Sequence, residues 1–481
     1  MNRNCDSREP ISRTPPGGGV IIYRFPGALP PAKFRRTSGA KNVSSSRFGI
    51  HVDFPNQRTF TPTSSLLTIL LLLFLPSAFA SDSVRTLAGS AQMSAYLDGP
   101  GANARFADPV GLALDSAGNV FIADSANHCL RQLTPAGNVT TFAGRPGDFG
   151  SDDGGTGFAR FDTPSALAVA RDGTLFISDT GNNTIRRRDP NGTVTTFAGF
   201  AGTPGSTNGV GSVARFNAPL GLALAGNSDL FVADSGNHAI RRITSDGNVT
   251  TFAGGLEQWG AADGKGEQAR FNGPVGLVFD KVGNLLVADS FNHAIRKIAP
   301  DGTVTTLAGR LGEDGFADGR AADARFGAPA ELAFDPNGNL FITDGWYDTL
   351  RKITPDGTVS TVAGLVGNEG SADGSYGGAR FFNPYGLVAT PTGSLIVSDT
   401  YNELIREVIT PFTLSAKRTA NSPTVIRWES IAGRTYRVLV RDSLSAPWQP
   451  LGTDLKAIGA TAESTDSATI AMRFYQVDRL D

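Results

Sequence analysis

Glu331 occupies a sequence slot that holds glycine in four sister repeats (Gly111, Gly221, Gly276, Gly386) and alanine in one (Ala166). Close by, the tetrapeptide that reads Ser-x-Asn-His at 125–128, 235–238 and 290–293 reads Gly345-Trp346-Tyr347-Asp348. Tyr385 is offset by one position from the Glu331 slot in the next repeat, and Trp259 lies in the segment that enters the fourth repeat. A carboxylate accompanied by two or three aromatic rings is the make-up of a site for a small polar ligand or a peptide. Where a repeat is otherwise strict, function is expected where it is broken. Glu331, Trp346, Tyr347, Asp348, Tyr385 and Trp259 are therefore the candidate ligand-binding residues. The competing reading is drift, with Trp346 covering a loop and Glu331 pairing with a nearby arginine.

Other chemistries find less support. The histidines are His51, His128, His238 and His293, and the last three fill one slot of three different repeats. Equivalent positions of separate repeats cannot converge on one zinc ion, whose ligands must stand about 2 Å from it. No Cys-x-x-Cys, His-Glu-x-x-His or Gly-x-Ser-x-Gly motif occurs. No catalytic residue, metal ligand or cofactor is assigned. Asp98, Asp153, Asn208, Asp263, Asp318 and Asp373 each precede a glycine and read as tight turns; each loop has too few carboxylates for calcium, which takes about six to eight oxygens. A pair of charged residues recurs in every repeat. One is the arginine of Ala-Arg-Phe: Arg105, Arg160, Arg215, Arg270, Arg325 and Arg380. The other is the aspartate that closes the second apolar run: Asp124, Asp179, Asp234, Asp289, Asp344 and Asp399. A pair present six times should be structural. The expectation is a charge-assisted hydrogen bond from each arginine to an aspartate or to a loop carbonyl.

These residues are positioned by a repeat of 55 residues, without insertion or deletion from Arg105 to Arg380. A period of this length marks a propeller, solenoid or array, whose units bury their apolar faces on one another. The first unit holds four short runs: 109–115, 120–124, 129–133 and 139–142. They are rich in β-branched and aromatic residues and are separated by Gly, Asn, Asp and Pro, which predicts four antiparallel strands. The first three runs occur six times. The sixth set lacks its fourth run, and the missing copy, Val84-Arg85-Thr86-Leu87-Ala88-Gly89, stands ahead of the first unit. The expectation is a ring in which strand 84–89 completes the last blade and covers an open sheet edge.

Pro-x-Gly-Leu-Ala, then Gly-Asn-x-x-Val-Ala-Asp, then Asn-His-x-Ile-Arg, as in Asn237-His238-Ala239-Ile240-Arg241, resembles the signature of NHL-repeat propellers. The resemblance covers residues 84–410 and extends to the NHL part of teneurin-type proteins and to secreted bacterial relatives. It implies a six-bladed β-propeller that serves most often as a binding platform. A minority of the family are enzymes, and the histidine-ligated metal of the amidating lyases is not matched here.

The remaining segments divide the chain. Residues 1–57 are rich in Pro, Gly, Ser and Arg, and read as a disordered or mis-annotated extension. Residues 58–80 read as a signal peptide: Arg58, an apolar run from Leu66 to Leu75, and Ala78-Phe79-Ala80 as the cleavage site after Ala80. The run is short for a membrane span. Cleavage would remove Cys5 and leave Cys129 without a disulfide partner. Residues 81–410 form the propeller, and 411–481, with strand-like runs around Trp428, Tyr436 and Tyr475, a small β-sandwich-like domain. Residues 1–80 carry ten Lys/Arg and three Asp/Glu, so the whole-chain charge of −2 becomes −9 once they are removed. An acidic mature chain disfavours nucleic acid as partner.

The expected protein is all-β, secreted, periplasmic or on the cell surface, without a membrane span after cleavage. It binds a protein, peptide or glycan on its loop face without catalysis. The alternatives are a metal-dependent propeller enzyme, either a lactonase-like hydrolase or a lyase, and a structural module of a cell-surface assembly.

Overall fold

The computed structural model describes residues 83–410 and the stretches 414–417, 423–430, 435–442, 446–458, 461–467 and 474–479. The proposed extension and signal peptide lie outside the described residues. Among the described residues no helix is long and apolar enough to cross a membrane.

The turn chemistry yields the predicted strands. In the first unit they run Pro109–Leu114, Val120–Asp124, Cys129–Leu133 and Asn138–Gly144, each antiparallel to the next. The same order recurs in six sheets. In four of them a two-residue fifth strand, such as Gly99–Pro100, extends the outer edge. The sixth sheet takes its fourth strand from the other end of the chain. Val84–Gly89 pairs with Leu404–Val408, from Val84 opposite Val408 to Gly89 opposite Leu404. Its register shifts between Thr86 and Ala88, the same bulge that other fourth strands carry, as between Thr141 and Ala143. The closing segment is thus a true fourth strand, displaced in sequence.

Neighbouring sheets pack face to face. One cluster joins Phe106, Leu112, Ile122 and Leu133 of the first blade to Ile396 and Ile405 of the sixth, with Ala88 of the closing strand. Each fully buried side chain of this size contributes about 1.5–3 kcal/mol. The inner strands pack in sequence order, and the last, Pro384–Ala389, packs on the first. Glycine makes this contact possible. A Cβ on Gly111 would stand 2.0 Å from the Ser165 carbonyl oxygen of the second blade, and one on Gly386 would stand 2.1 Å from the Val110 carbonyl oxygen of the first. Among the described residues, six such sheets form a β-propeller over residues 84–408.

Beyond it, two small sheets share a core of Ile426, Trp428, Tyr436, Val438, Ala457, Ala462 and Val477. The Trp428 and Tyr436 rings meet within it at a tilt, 5.9 Å between centroids, and both are buried core residues, as expected.

Candidate functional site

Each blade turns from its second to its third strand through one short helical turn, closed by a residue in the left-handed conformation. These residues are His128, Asn183, His238, His293, Asp348 and Glu403, with φ between 55° and 60°. The turn faces the long loop that enters the blade. Asn127 donates to the Ala95 carbonyl at 2.9 Å, and the Gly147 amide of the next loop donates to the Asn127 carbonyl at 2.9 Å. Turns and entering loops therefore share one face.

Beneath this face lies a buried ionic cluster repeated in every blade. In the first, Arg131 Nη1 donates to Asp124 Oδ2 at 2.7 Å and Nη2 to Asp98 Oδ1 at 2.6 Å. The guanidinium also reaches the carbonyls of Arg105 and Leu97, at 2.9 and 2.8 Å, and lies 5.2 Å from the centroid of the Phe106 ring. Asp124 in turn accepts the Ala107 amide at 2.8 Å and Asn127 at 2.9 Å. Burial pushes its carboxyl up to about 6, against the opposing pull of Arg131.

The aspartate's partner is thus not the Ala-Arg-Phe arginine. Arg105 instead donates to the Ala102 and Ala104 carbonyls, at 3.1 and 2.7 Å. Arg215, Arg270, Arg325 and Arg380 bond their own loop carbonyls likewise, as in the carbonyl form of the expectation. Arg160 instead pairs with the loop acids Asp148 and Asp152. Asp124, Asp179, Asp234, Asp289 and Asp399 take the third-strand arginines Arg131, Arg186, Arg241, Arg296 and Arg406 at 2.6–2.7 Å. These arginines were missed from sequence as partners. The signal was present: Asp124 opposes Cys129 and Ile122 opposes Arg131, so Asp124 and Arg131 are diagonal neighbours on one face of a hairpin. The loop acids also do more than turn the chain. Asp98, Asp153, Asp263, Asp318 and Asp373 each take the second guanidinium nitrogen, and Asn208 does so in the third blade.

The left-handed residues have a second task. Each reaches the next blade. The Thr163 and Gly273 amides donate to Nδ1 of His128 and His238, at 3.2 and 3.1 Å. The Ala218 amide donates to Asn183, and the Asn383 amide to Asp348, both at 2.8 Å. The Asp108 amide of the first blade donates to Glu403 of the sixth at 2.7 Å. The histidines are therefore inter-blade clips.

Blade five departs from this plan. Tyr347 replaces the turn asparagine, so Asp344 lacks that donor. It gathers the amides of both Gly327 and Ala328, at 3.0 and 2.9 Å. Arg351 Nη1 stands 3.7 Å away instead of 2.6–2.7 Å. The residue in the Ala328 slot has positive φ in the other five blades (Asp108, Thr163, Ala218, Gly273, Asn383), and Ala328 does not. With the Ala328 amide diverted, His293 Nδ1 meets the Gly327 carbonyl, so it must donate there, whereas His128 and His238 accept. The turn pushes its aromatics outward. Trp346 is 56% exposed, with its ring 5.6 Å from His293, and Tyr347 lies 5.7 Å from Phe316.

Glu331 sits elsewhere, on the inner strand Pro329–Phe334, where it lines the central channel, a cavity of about 360 Å³ bounded by the inner strands of all six blades. Its Oε1 accepts the Leu332 amide at 3.1 Å, and its carboxyl also takes the Leu277 amide of blade four. Among the described residues no arginine pairs with it, unlike the pairing the drift reading supposed. Burial pushes its carboxyl up to about 8. Tyr385, half-buried on the adjoining strand, feels that charge, and its phenol is pushed up by burial first and by Glu331 second.

The six candidate residues thus fall into separate places. Trp346 and Tyr347 join His293 and Phe316 on the loop face. Asp348 is adjacent but serves as a clip. Glu331 lines the channel, and Tyr385 lies on the adjoining inner strand, near enough for its phenol to feel Glu331. Trp259, 71% exposed on the loop entering blade four, makes no ring contact among the described residues.

Comparison with known proteins adds sequence relatives. The sequence model of the NHL repeat matches residues 106–133. The chain is 32% identical to NHL repeat-containing protein 2 of Bos taurus over 279 residues, half of this chain and 38% of that one. It is 24% identical to Teneurin-m of Drosophila melanogaster over 353 residues, 65% of this chain and 12% of that one. The matched region is therefore well under half of either relative. Among solved structures, a structural-genomics protein of unknown function from Bacteroides thetaiotaomicron superposes with a TM-score of 0.53 at 25% identity, covering 67% of this chain and 74% of that one.

Proposed function

We propose that this chain, an NHL-repeat β-propeller, is a secreted, non-catalytic binding module that holds a protein, peptide or glycan on its loop face. The observation that carries this reading is the break in blade five. In the intact blades, the turn aspartate, its asparagine and the third-strand arginine are fully committed to one another. In blade five the asparagine is gone and the arginine has drawn back. The residues that fill the turn are a tryptophan and a tyrosine, the types that dominate binding hot spots. They stand beside His293 and Phe316 on a loop face held by six rigid sheets.

Secretion is supported by the fit of the proposed cleavage after Ala80 to the architecture. The mature chain would begin immediately before Val84, the first residue needed to complete the sixth sheet. A metal-dependent enzyme would need convergent donors in the channel, and the lining residues supply a single carboxylate. Among the described residues no group of three or more His, Cys, Asp or Glu could hold a metal ion.

The test uses the full mature protein on an immobilised glycan array and a displayed peptide library. A ligand retained by wild type and by Trp259→Ala, but weakened at least tenfold by Trp346→Ala and by Tyr347→Ala, supports the blade-five site. A ligand held equally by all four, or none held by wild type, overturns it. The first residue of the exported protein, read by N-terminal sequencing, should be Ser81.

A further inference from the structure

We propose that the central channel is a second binding site, for a small organic cation: a protonated amine on an apolar body, with Glu331 as its counter-ion. The proposal does not depend on the loop-face reading, because the two sites use different residues.

The first support is the cost of placing an acid there. In four blades the Glu331 slot holds glycine because the inner strands approach so closely. A Cβ on Gly221 would stand 2.0 Å from the Val275 carbonyl oxygen, and one on Gly276 would stand 2.3 Å from that of Ala330. Blade five carries its side chain beside a hydroxyl bridge of the kind blade six also has, where Ser398 Oγ accepts the Gly386 amide and donates to the Val110 carbonyl. Thr343 Oγ1 accepts the Glu331 amide at 3.0 Å and donates to the Tyr385 carbonyl at 2.6 Å, so the two inner strands are bridged. The carboxyl then folds toward blade four. A Cβ on Gly276 would meet its Oε1 at 2.7 Å, so glycine is needed there too. Blade four thus meets the carboxyl with a glycine and with the Leu277 amide.

The second support is the absence of a counter-charge among the residues that line the channel. They include no Lys, Arg, His or other acid. Outside that lining, Thr343 holds the Glu331 amide, the Tyr385 phenol of blade six is near enough to feel Glu331, and blade four meets the carboxyl with Gly276 and Leu277. Two amides stabilise the carboxyl but cannot neutralise it. Burying an uncompensated charge is unfavourable, and the carboxyl answers by retaining its proton up to about pH 8.

The third support is the surrounding shape and chemistry. Every blade places a leucine among the lining residues, at Leu112, Leu167, Leu222, Leu277, Leu332 and Leu387, and blades one and three add Leu114 and Leu224. Each inner strand is also the edge of its sheet, so backbone amides and carbonyls without strand partners face the axis. One carboxylate with leucines and scattered carbonyls suits an ammonium head and a hydrocarbon body. A hard divalent ion would need several anionic oxygens.

When the ammonium enters, the Glu331 carboxyl gives up its proton to the buffer and the two charges pair. Binding at pH 7 should therefore release close to one proton.

The experiment is thermal melting and calorimetry of the full chain with n-hexylammonium chloride, with 1-hexanol and calcium chloride as controls. Hexylammonium at 10 mM should raise the wild-type melting temperature by about 2 °C or more and release protons, as read from the buffer dependence of the heat. Glu331→Gln should lose both responses, and Trp346→Ala should keep both. Hexanol and calcium should give neither. The proposal is overturned if hexylammonium shifts wild type and Glu331→Gln equally, if it shifts neither, or if calcium alone stabilises the protein through Glu331.

Discussion

The side chain of Glu403, in the sixth blade, accepts the backbone amide of Asp108, in the first, at 2.7 Å across 295 residues of sequence. It is the ring-closing member of a circuit to which Asn183 and Asp348 contribute the same bond between consecutive blades. A polar side chain on a left-handed turn residue thus joins each blade to the next, accepting a backbone amide in five cases and donating from His293 to the Gly327 carbonyl in the other.

Glu403→Ala should therefore destabilise the propeller by about 1–2 kcal/mol, the cost of leaving an amide without its acceptor. Glu403→Gln should retain the bond and most of the stability. Chemical denaturation of the three proteins at pH 8 would measure this; equal loss in both variants would show that the clip is dispensable.

Glu331 should impose a pH dependence of opposite sign to that of an ordinary paired acid. Its folded-state value is raised to about 8 from 4.5, so the native protein holds a proton that the unfolded chain releases. Stability contributed by this group is present in full below about pH 4.5 and lost as pH rises toward 8, at up to about 1.4 kcal/mol per pH unit. Glu331→Gln should flatten that slope, and its advantage over wild type should grow between pH 5 and 9. Parallel melting curves across that range would refute the assignment.

The buried arginines should not be equivalent. Arg241→Ala leaves Asp234 buried beside the amide of Asn217 and the side chain of Asn237, with no cation, and should cost about 3–5 kcal/mol. Arg351→Ala should cost less. Asp344 already stands 3.7 Å from that arginine and draws on two amides. Equal costs would mean that blade five is no looser than its neighbours. Arg241→Lys should also be poorly tolerated, because one ammonium cannot reach Asp234 and Asn208 in the fork geometry of a guanidinium.

Removing residues 84–89 strips the sixth sheet of its outer strand and exposes the edge of Leu404–Val408. The melting temperature should fall by many degrees and the product should self-associate, as an unpaired edge invites. Light scattering on heating would report both, and an unchanged monomer would contradict strand closure.

The fold was legible because the repeat is local. The spacing from Arg105 to Arg380 and the turn residues between runs specify four strands per unit, and the displaced copy at Val84 specifies how the last unit is completed. The ionic cluster was half legible. Asp124 and its equivalents could be seen to need a cation, yet every repeat offers two arginines. The choice of Arg131 over Arg105 follows from hairpin register, which places Arg131 diagonally across from the aspartate and turns Arg105 toward the carbonyls of its own loop.

The candidate site was less legible. Glu331 and Trp346 both mark the broken blade, and sequence proximity suggested one site. The inner strand carries one of them to the channel, while the turn carries the other to the loop face. What the sequence alone determined is the unit, its number and its means of completion, since these follow from periodic patterns of short range. What tertiary structure decided is which residues meet across the joints between units. His128, Asn183, Asp348 and Glu403 differ in type and share one role, because each contact joins different blades, and local pattern carries no record of a neighbour that folding alone brings alongside.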